Sequence, residues 1–180
     1  MPIPFLIIMI FFAHPTAQSI AVGLGIMLAG ETLRLWGVAI AGSETRTTGA
    51  VGGTFLITRG PFGHMRNPLY VGNILIYCGV GVMSLALFPW LVILAFLFFS
   101  FQYTMIVSLE EEYLMKTFGD EYRRYTLSVP RFLPRFTQYG GGSNLQPDLD
   151  WARGIVSEKS TLLAIIIITA LIVGLQRFRV

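Results

Sequence analysis

Charge is scarce in this chain. Only 13% of its 180 residues are Asp, Glu, Lys or Arg, against about a quarter in soluble proteins. Cysteine is scarcer still: Cys78 stands alone, which excludes a disulfide framework and a thiolate metal cluster. The two histidines, His14 and His64, have no second ligand at metal spacing, so no metal is expected, and all three residues are read as structural. There is no internal repeat and no low-complexity tract. Gly49, Gly52 and Gly53 lack a strand–turn–helix context and make no dinucleotide fingerprint. The opening MPIPFLIIMIFFAHP has no basic n-region of the kind a signal peptide carries, and is expected to remain as a membrane segment.

What is abundant is apolar surface. Hydrophobic residues make up 54% of the chain, and the mean hydropathy is +0.66. That composition predicts an all-α integral membrane protein, a bundle of about five transmembrane helices forming one domain over residues 1–180. A pI near 9.2 would point to nucleic acid in a soluble protein. Here membrane topology accounts for the basic residues, and no nucleic-acid partner is expected.

About 20 apolar residues span a hydrocarbon core of ~30 Å. Ile3 to Ala13 is short for that, and Pro15 ends or kinks it. The second segment runs from Thr16 to about Ala41. Within it Ala21, Gly25 and Ala29 recur at the small-xxx-small spacing that lets helices approach closely. Pro68 is suited to open a third helix that continues to about Leu87. A turn at Phe88-Pro89 leads to a fourth, Trp90 to about Ser108, and Ser160 to about Leu175 forms the last. Residues 137–159 are expected to form a Gly140-Gly141-Gly142 joint and a short interfacial helix with Leu149, Trp151, Ile155 and Val156.

The loops 42–67 and 109–159 hold ten of the thirteen Lys and Arg, among them Arg46, Arg59, Lys116, Arg153 and Lys159. The positive-inside rule puts both loops in the cytoplasm, together with the N-terminus. Arg177 and Arg179 then fall on the outer side.

Those two loops also carry the polar clusters. If a helix starts at Pro68, then Tyr70, Asn73 or Ile74, and Tyr77 share a face, with Arg66 at its mouth. The free N–H groups and positive dipole there suit an anionic group such as a carboxylate. An Arg–Tyr headgroup anchor fits the spacing equally well. Glu110, Glu111 and Glu112 repel one another, so something cationic or hydrogen-bonding should face at least one of them. The simple alternative is a solvated turn paired with Lys116, Arg123 and Arg124. Leu114, Phe118, Tyr122 and Tyr125 fall on one face of an amphipathic helix that Gly119 could interrupt. Prolines hold Val129-Pro130-Arg131 and Pro134-Arg135 extended; an Arg fixed there grips a carboxylate, a phosphate or a headgroup. Glu31 and Arg34, inside the second helix, are functional candidates by burial, though they can also pair with each other. Gln102 and Tyr103 face either a polar cavity or a neighbouring helix.

Gly60-Pro61-Phe62 followed by Arg66-Asn67-Pro68-Leu69-Tyr70-x-Gly72 resembles the G-P-Y…R-H-P-x-Y-x-G signature of isoprenylcysteine carboxyl methyltransferases and related phospholipid methyltransferase-like membrane enzymes. The second element of that signature, E-E-x-x-L-x-x-x-F-G-x-x-Y-x-x-Y-x-x-x-V-P-R, is matched in full from Glu110 and Glu111 through Tyr122 and Tyr125 to Arg131. Leu33-Arg34-Leu35-Trp36 looks like the helix before the first element. The likeness covers the signature region, about residues 30–135, and leaves 137–180 without a counterpart.

This resemblance implies methyl transfer from S-adenosylmethionine to a lipophilic small molecule or lipid-attached group that enters from the bilayer. A prenylcysteine-like carboxylate and a phospholipid amine are the leading acceptors. It also implies a division of labour: Arg66, Asn67, Tyr70, Glu111 and Tyr122 would bind the cofactor, while Arg131 and Glu110 would face the acceptor. Asn67 departs from the family's His; it keeps a hydrogen bond but cannot titrate. Holding donor and acceptor about 3–3.5 Å apart in a dry site supplies much of the rate of such a transfer. Two rivals are an NADPH-dependent membrane reductase of the sterol type, against which Glu110 and Glu111 speak, and a non-catalytic lipid-binding subunit.

Overall fold

The computed structural model describes residues 3–42, 55–142 and 146–178. Arg46, Gly49, Gly52, Gly53 and Arg179 lie outside the described residues. The expected all-helical architecture is what the chain adopts: α1 (Ile3–Phe11), α2 (Ala17–Ala41), α3 (Pro68–Ser84), α4 (Trp90–Ser128) and α5 (Trp151–Phe178), with a 3-10 turn at Gly60–Gly63. Three helices are long and apolar enough to cross a membrane, Ala17–Ala41, Trp90–Ser128 and Trp151–Arg177, while Pro68–Ser84 is shorter. Many large apolar side chains on them are exposed, including Ile93, Leu97 and Phe101 on α4 and Ile166, Ile167 and Leu171 on α5. Such outward faces suit a solvent of lipid chains rather than water.

Two helices run further than the composition suggested. Helix α4 continues past Ser108 to Ser128, 39 residues in all, but it is two helical stretches joined across a kink at Gly119, whose φ 49°, ψ −120° are non-helical. Backbone hydrogen bonds do not register the change from apolar to charged side chains, so the helix passes through it. Only glycine adopts that backbone conformation without strain. Helix α5 likewise begins at Trp151, so the expected interfacial helix and the last membrane helix are one element of 28 residues. Conversely, α3 stops at Ser84, where Leu85 and Leu87 take positive φ (52° and 47°).

The helices fall into two compact units. The first comprises Met1–Thr32, Gly72–Gln102 and Lys159–Val180. A reciprocal cap starts α2: Ser19 N–H donates to Thr16 Oγ1 (3.1 Å) and Thr16 N–H to Ser19 Oγ (2.9 Å). The contact face of α2 is Gly23, Met27 and Gly30. A Cβ on Gly23 would lie 2.5 Å from Gly79 O and Met83 N, and one on Gly30 2.6 Å from Gly72 O. The stripe expected to make this approach, Ala21, Gly25 and Ala29, is exposed instead. The rings of Tyr77 and Phe99 stack at 4.2 Å in the same unit.

The second unit comprises Leu33–Val71 and Tyr103–Glu158. Its buried core is Leu56, Tyr122, Tyr125 and Val129, with Leu114, Phe118 and Tyr139 packed against it. The aromatic face read from the α4 spacing is thus the inner face of this unit. The start of α5 docks on the end of α2: Asp150 N–H donates to Ala39 O (2.9 Å), and Gly154 is so close to Ala39 that a Cβ would stand 3.0 Å from Ala39 Cβ. Arg34 donates to the carboxylate of Glu158 at 2.6 Å.

Candidate active site

Both signature segments, apart from Gly72, belong to the second unit, and backbone hydrogen bonds lace them together. Arg66 N–H donates to Pro130 O (2.9 Å), Arg135 N–H to His64 O (2.9 Å), and Tyr139 N–H to Gly63 O (3.0 Å). Gly60 opens the turn at φ +59°, a conformation that favours glycine. Side chains complete the seam. The Tyr125 hydroxyl donates to Phe62 O (2.7 Å), Asn67 Nδ2 donates to Arg131 O (3.1 Å), and His64 Nδ1 meets Arg135 O at 2.9 Å. His64 and Asn67 are therefore both committed to holding the extended proline segment in place.

An ionic cluster sits on this seam. Glu111 is bridged by two guanidiniums: Arg66 Nε donates to Oε1 at 2.9 Å, and Arg131 Nη2 donates to Oε2. The Arg66 and Glu111 side chains are 12% and 13% exposed, Arg131 35%. Arg66 also gives Nη1 to the carbonyls of Thr126 and Val129, each at 2.9 Å. These lie at the C-terminal end of α4, where helix carbonyls lack intrahelical donors and a cation is favoured. Beside this triad, Tyr70 donates to Glu110 Oε1 at 2.6 Å and lies against the Tyr103 ring at 4.8 Å. The third acid, Glu112, pairs with Lys116 on the exposed side of the helix (2.7 Å). Of the three adjacent carboxylates, only Glu112 follows the solvated alternative.

Arg66, Asn67, Tyr70, Glu110, Glu111 and Arg131 are thus brought together. Tyr122 is 2% exposed, its ring 6.0 Å from that of Tyr125 in the core below. Burial, with the Glu111 charge adding to it, pushes the Tyr122 phenol above its ordinary value; burial does the same to Tyr125. Both hydroxyls stay protonated at neutral pH. Among the described residues, no three His, Cys, Asp or Glu side chains converge as a metal cage.

Gln146 carried no signal in the sequence, yet it clamps the strand-like stretch beside the core. Its Oε1 accepts Thr58 N–H and its Nε2 donates to Leu56 O, each at 2.9 Å. Leu56 and Thr58 are 5% and 3% exposed, so both backbone groups lose their partner in Gln146→Ala. An expected loss of about 2 kcal/mol follows, with faster amide exchange at Thr58 in hydrogen-exchange mass spectrometry. Unchanged exchange there would contradict it. A glutamine in a loop has no periodicity to give it away.

An all-helical membrane fold with two laced polar motifs at the mouth of α3 is the build of a membrane methyltransferase. The phospholipid methyltransferase family model matches residues 18–121, and the chain belongs to that family. It is 34% identical over 121 residues to the cobalt-zinc-cadmium resistance protein CzcN of Cupriavidus metallidurans, covering 67% of this chain and 50% of that one. With the nickel-cobalt-cadmium resistance protein NccN of Alcaligenes xylosoxydans xylosoxydans it shares 30% identity over 126 residues, 69% of this chain and 54% of the other. The chain spans about half the length of these curated relatives. Among solved structures, the eukaryotic intramembrane Ras methyltransferase ICMT (isoprenylcysteine carboxyl methyltransferase) has the same fold. Its TM-score is 0.58 at 24% identity, over 67% of this chain and 44% of that chain.

Proposed function

We propose that this chain transfers a methyl group from S-adenosylmethionine to a lipophilic acceptor entering from the bilayer, a prenylcysteine-like carboxylate or a phospholipid amine. Family membership supports the reaction class. The observation that carries the reading to this site is Glu111 held between Arg66 and Arg131, with Glu110 and Tyr70 alongside.

The residues fit such a cofactor. Its amino-acid end is a zwitterion, and the cluster offers both signs: two guanidiniums against Glu110 and Glu111. Arg66 spends Nε and Nη1 on protein partners, which leaves its Nη2 to donate to a carboxylate in a charge-assisted hydrogen bond. When bound, S-adenosylmethionine supplies an electrophilic methyl on a sulfonium. Arg66 would hold the carboxylate, with Asn67 and Tyr70 beside it, and Glu111 the ammonium or ribose. Tyr122 would close the site from below as a neutral wall.

Arg131 and Glu110 would serve the acceptor. A carboxylate needs no base, and Arg131, only partly covered, would aim it. An amine must lose a proton, and Glu110 would take it. Asn67 cannot titrate, so its contribution is the hydrogen bond that fixes the Arg131 carbonyl. The concentration of Lys and Arg in the two loops supports a cytoplasmic position for this site.

Calorimetric titration of the purified protein with S-adenosylhomocysteine is the test. Binding is expected in the wild type and at least tenfold weakening in Arg66→Ala. Binding of NADPH in its place would support the reductase reading; binding of neither by a folded protein, the non-catalytic one.

A further inference from the structure

From Tyr122 to Tyr139 the chain carries four arginines, Arg123, Arg124, Arg131 and Arg135, and no carboxylate. Among the described residues, the three most exposed large apolar side chains fall in the same segment: Leu127 (81%), Leu133 (78%) and Phe136 (103%). All three lie beyond the apolar stretch 90–108, so a lipid-facing helix surface does not explain them. Large apolar side chains grouped on a surface with a charged rim mark an interaction site.

The segment is held in shape and in place. Arg135 Nη1 donates to Ser128 O and Nη2 to Thr137 Oγ1, both at 2.8 Å, pinning the turn on which Leu133 and Phe136 stand. Pro130 and Pro134 restrict the backbone further. Arg131 Nη1 reaches Ser108 Oγ at 3.4 Å, and Ser108 is the last residue of the apolar stretch. The segment therefore returns to the level at which α4 leaves its apolar run, where Met105 and Leu109 are 55% and 68% exposed.

We infer that Leu127, Leu133 and Phe136 dip into the headgroup–acyl boundary of the bilayer, with the exposed Arg123 and Arg124 on anionic lipid headgroups. Apolar tips flanked by arginines with no acid between them have the composition of an interfacial anchor. A second copy of this chain is a poorer occupant, because a twofold contact would set the same cationic surface against itself. The anchor stands independently of catalysis. If the proposed methyl transfer also holds, Arg131 lies on the anchored segment, and a lipid acceptor reaches it without passing through water.

Spin labelling tests this with the full chain in nanodiscs of phosphatidylcholine and phosphatidylglycerol. In a Cys78→Ser background, a single nitroxide is placed through Leu133→Cys or Phe136→Cys, with Lys116→Cys (73% exposed) as the aqueous reference. Collisional relaxation by oxygen is expected to exceed that by a water-soluble nickel chelate at positions 133 and 136, and the order to reverse at 116. The preference should shrink when phosphatidylglycerol is omitted. Nickel accessibility at 133 and 136 equal to that at 116 overturns the inference, and so does spin–spin broadening that disappears on dilution with unlabelled protein, the mark of a self-interface. Both positions are exposed, so the substitutions disturb no packing. S-adenosylhomocysteine binding by the labelled protein reports the site separately; its failure with lipid contact intact would count against the methyltransferase reading alone.

Discussion

Glu111→Ala is expected to abolish S-adenosylhomocysteine binding and to destabilise the protein by about 3 kcal/mol, the low end of the cost of breaking a buried ion pair. Its carboxylate faces two guanidiniums, one of them 12% exposed. Without it, Arg66 and Arg131 are left close together with their mutual repulsion uncompensated, and Arg66 keeps only the Thr126 and Val129 carbonyls. Glu111→Gln retains the shape and one acceptor, so it should fold better than the alanine variant while still binding poorly. Glu112→Ala is the control: its partner is Lys116 one helical turn away on the open surface, and exposed pairs of that kind contribute little. Denaturation in mild detergent, read beside calorimetry, checks the set. Wild-type stability in Glu111→Ala would mean that the cluster is not structurally coupled, and wild-type binding would remove Glu111 from the cofactor site.

The second large effect concerns two glycines two residues apart. Gly23→Ala pushes a methyl to 2.5 Å from Gly79 O and Met83 N, both backbone atoms that cannot swing aside. Helices α2 and α3 must separate there, which strains the hydrogen bond from Ser19 Oγ to Met83 O as well. The expected loss is about 3 kcal/mol, at the upper end for overpacking. Gly25→Ala meets nothing within 4 Å and removes a flexible residue from a helix interior, a gain of about 0.5–1 kcal/mol. Unfolding of the two variants should therefore shift in opposite directions. A shift of the same sign in both would mean that α2 presents a different face to α3.

These two glycines show where sequence reasoning reaches its limit. Spacing identified a small-residue stripe on α2, but Gly23 and Gly30 lie on another face, and the partner decides between the two. Gly79 and Gly72 on α3 select Gly23 and Gly30; that choice is long-range and leaves no trace in α2 itself. The signature residues were legible because their chemistry is crowded into two short segments, and Pro68 marks the start of α3 directly. Helix lengths were less so: the change in composition after Ser108 looked like a boundary, although only the solvent of the side chains changes there. Spacing puts Arg34 beside Glu31, three residues away, but gives no sign of its contact with Glu158, 124 residues further along the chain.

That last contact has a consequence for how the protein is made. Arg34 enters the membrane with α2, while Glu158 sits near the start of α5 and follows much later in the chain. At about 5–20 residues per second, the 124 residues between them take roughly 6–25 s to synthesise. For that interval the second helix must reside in lipid or translocon without its bond to that carboxylate. Seating of α5 thus completes a buried ion pair whose other half was inserted long before, and it ties the settling of α2 to a helix made much later.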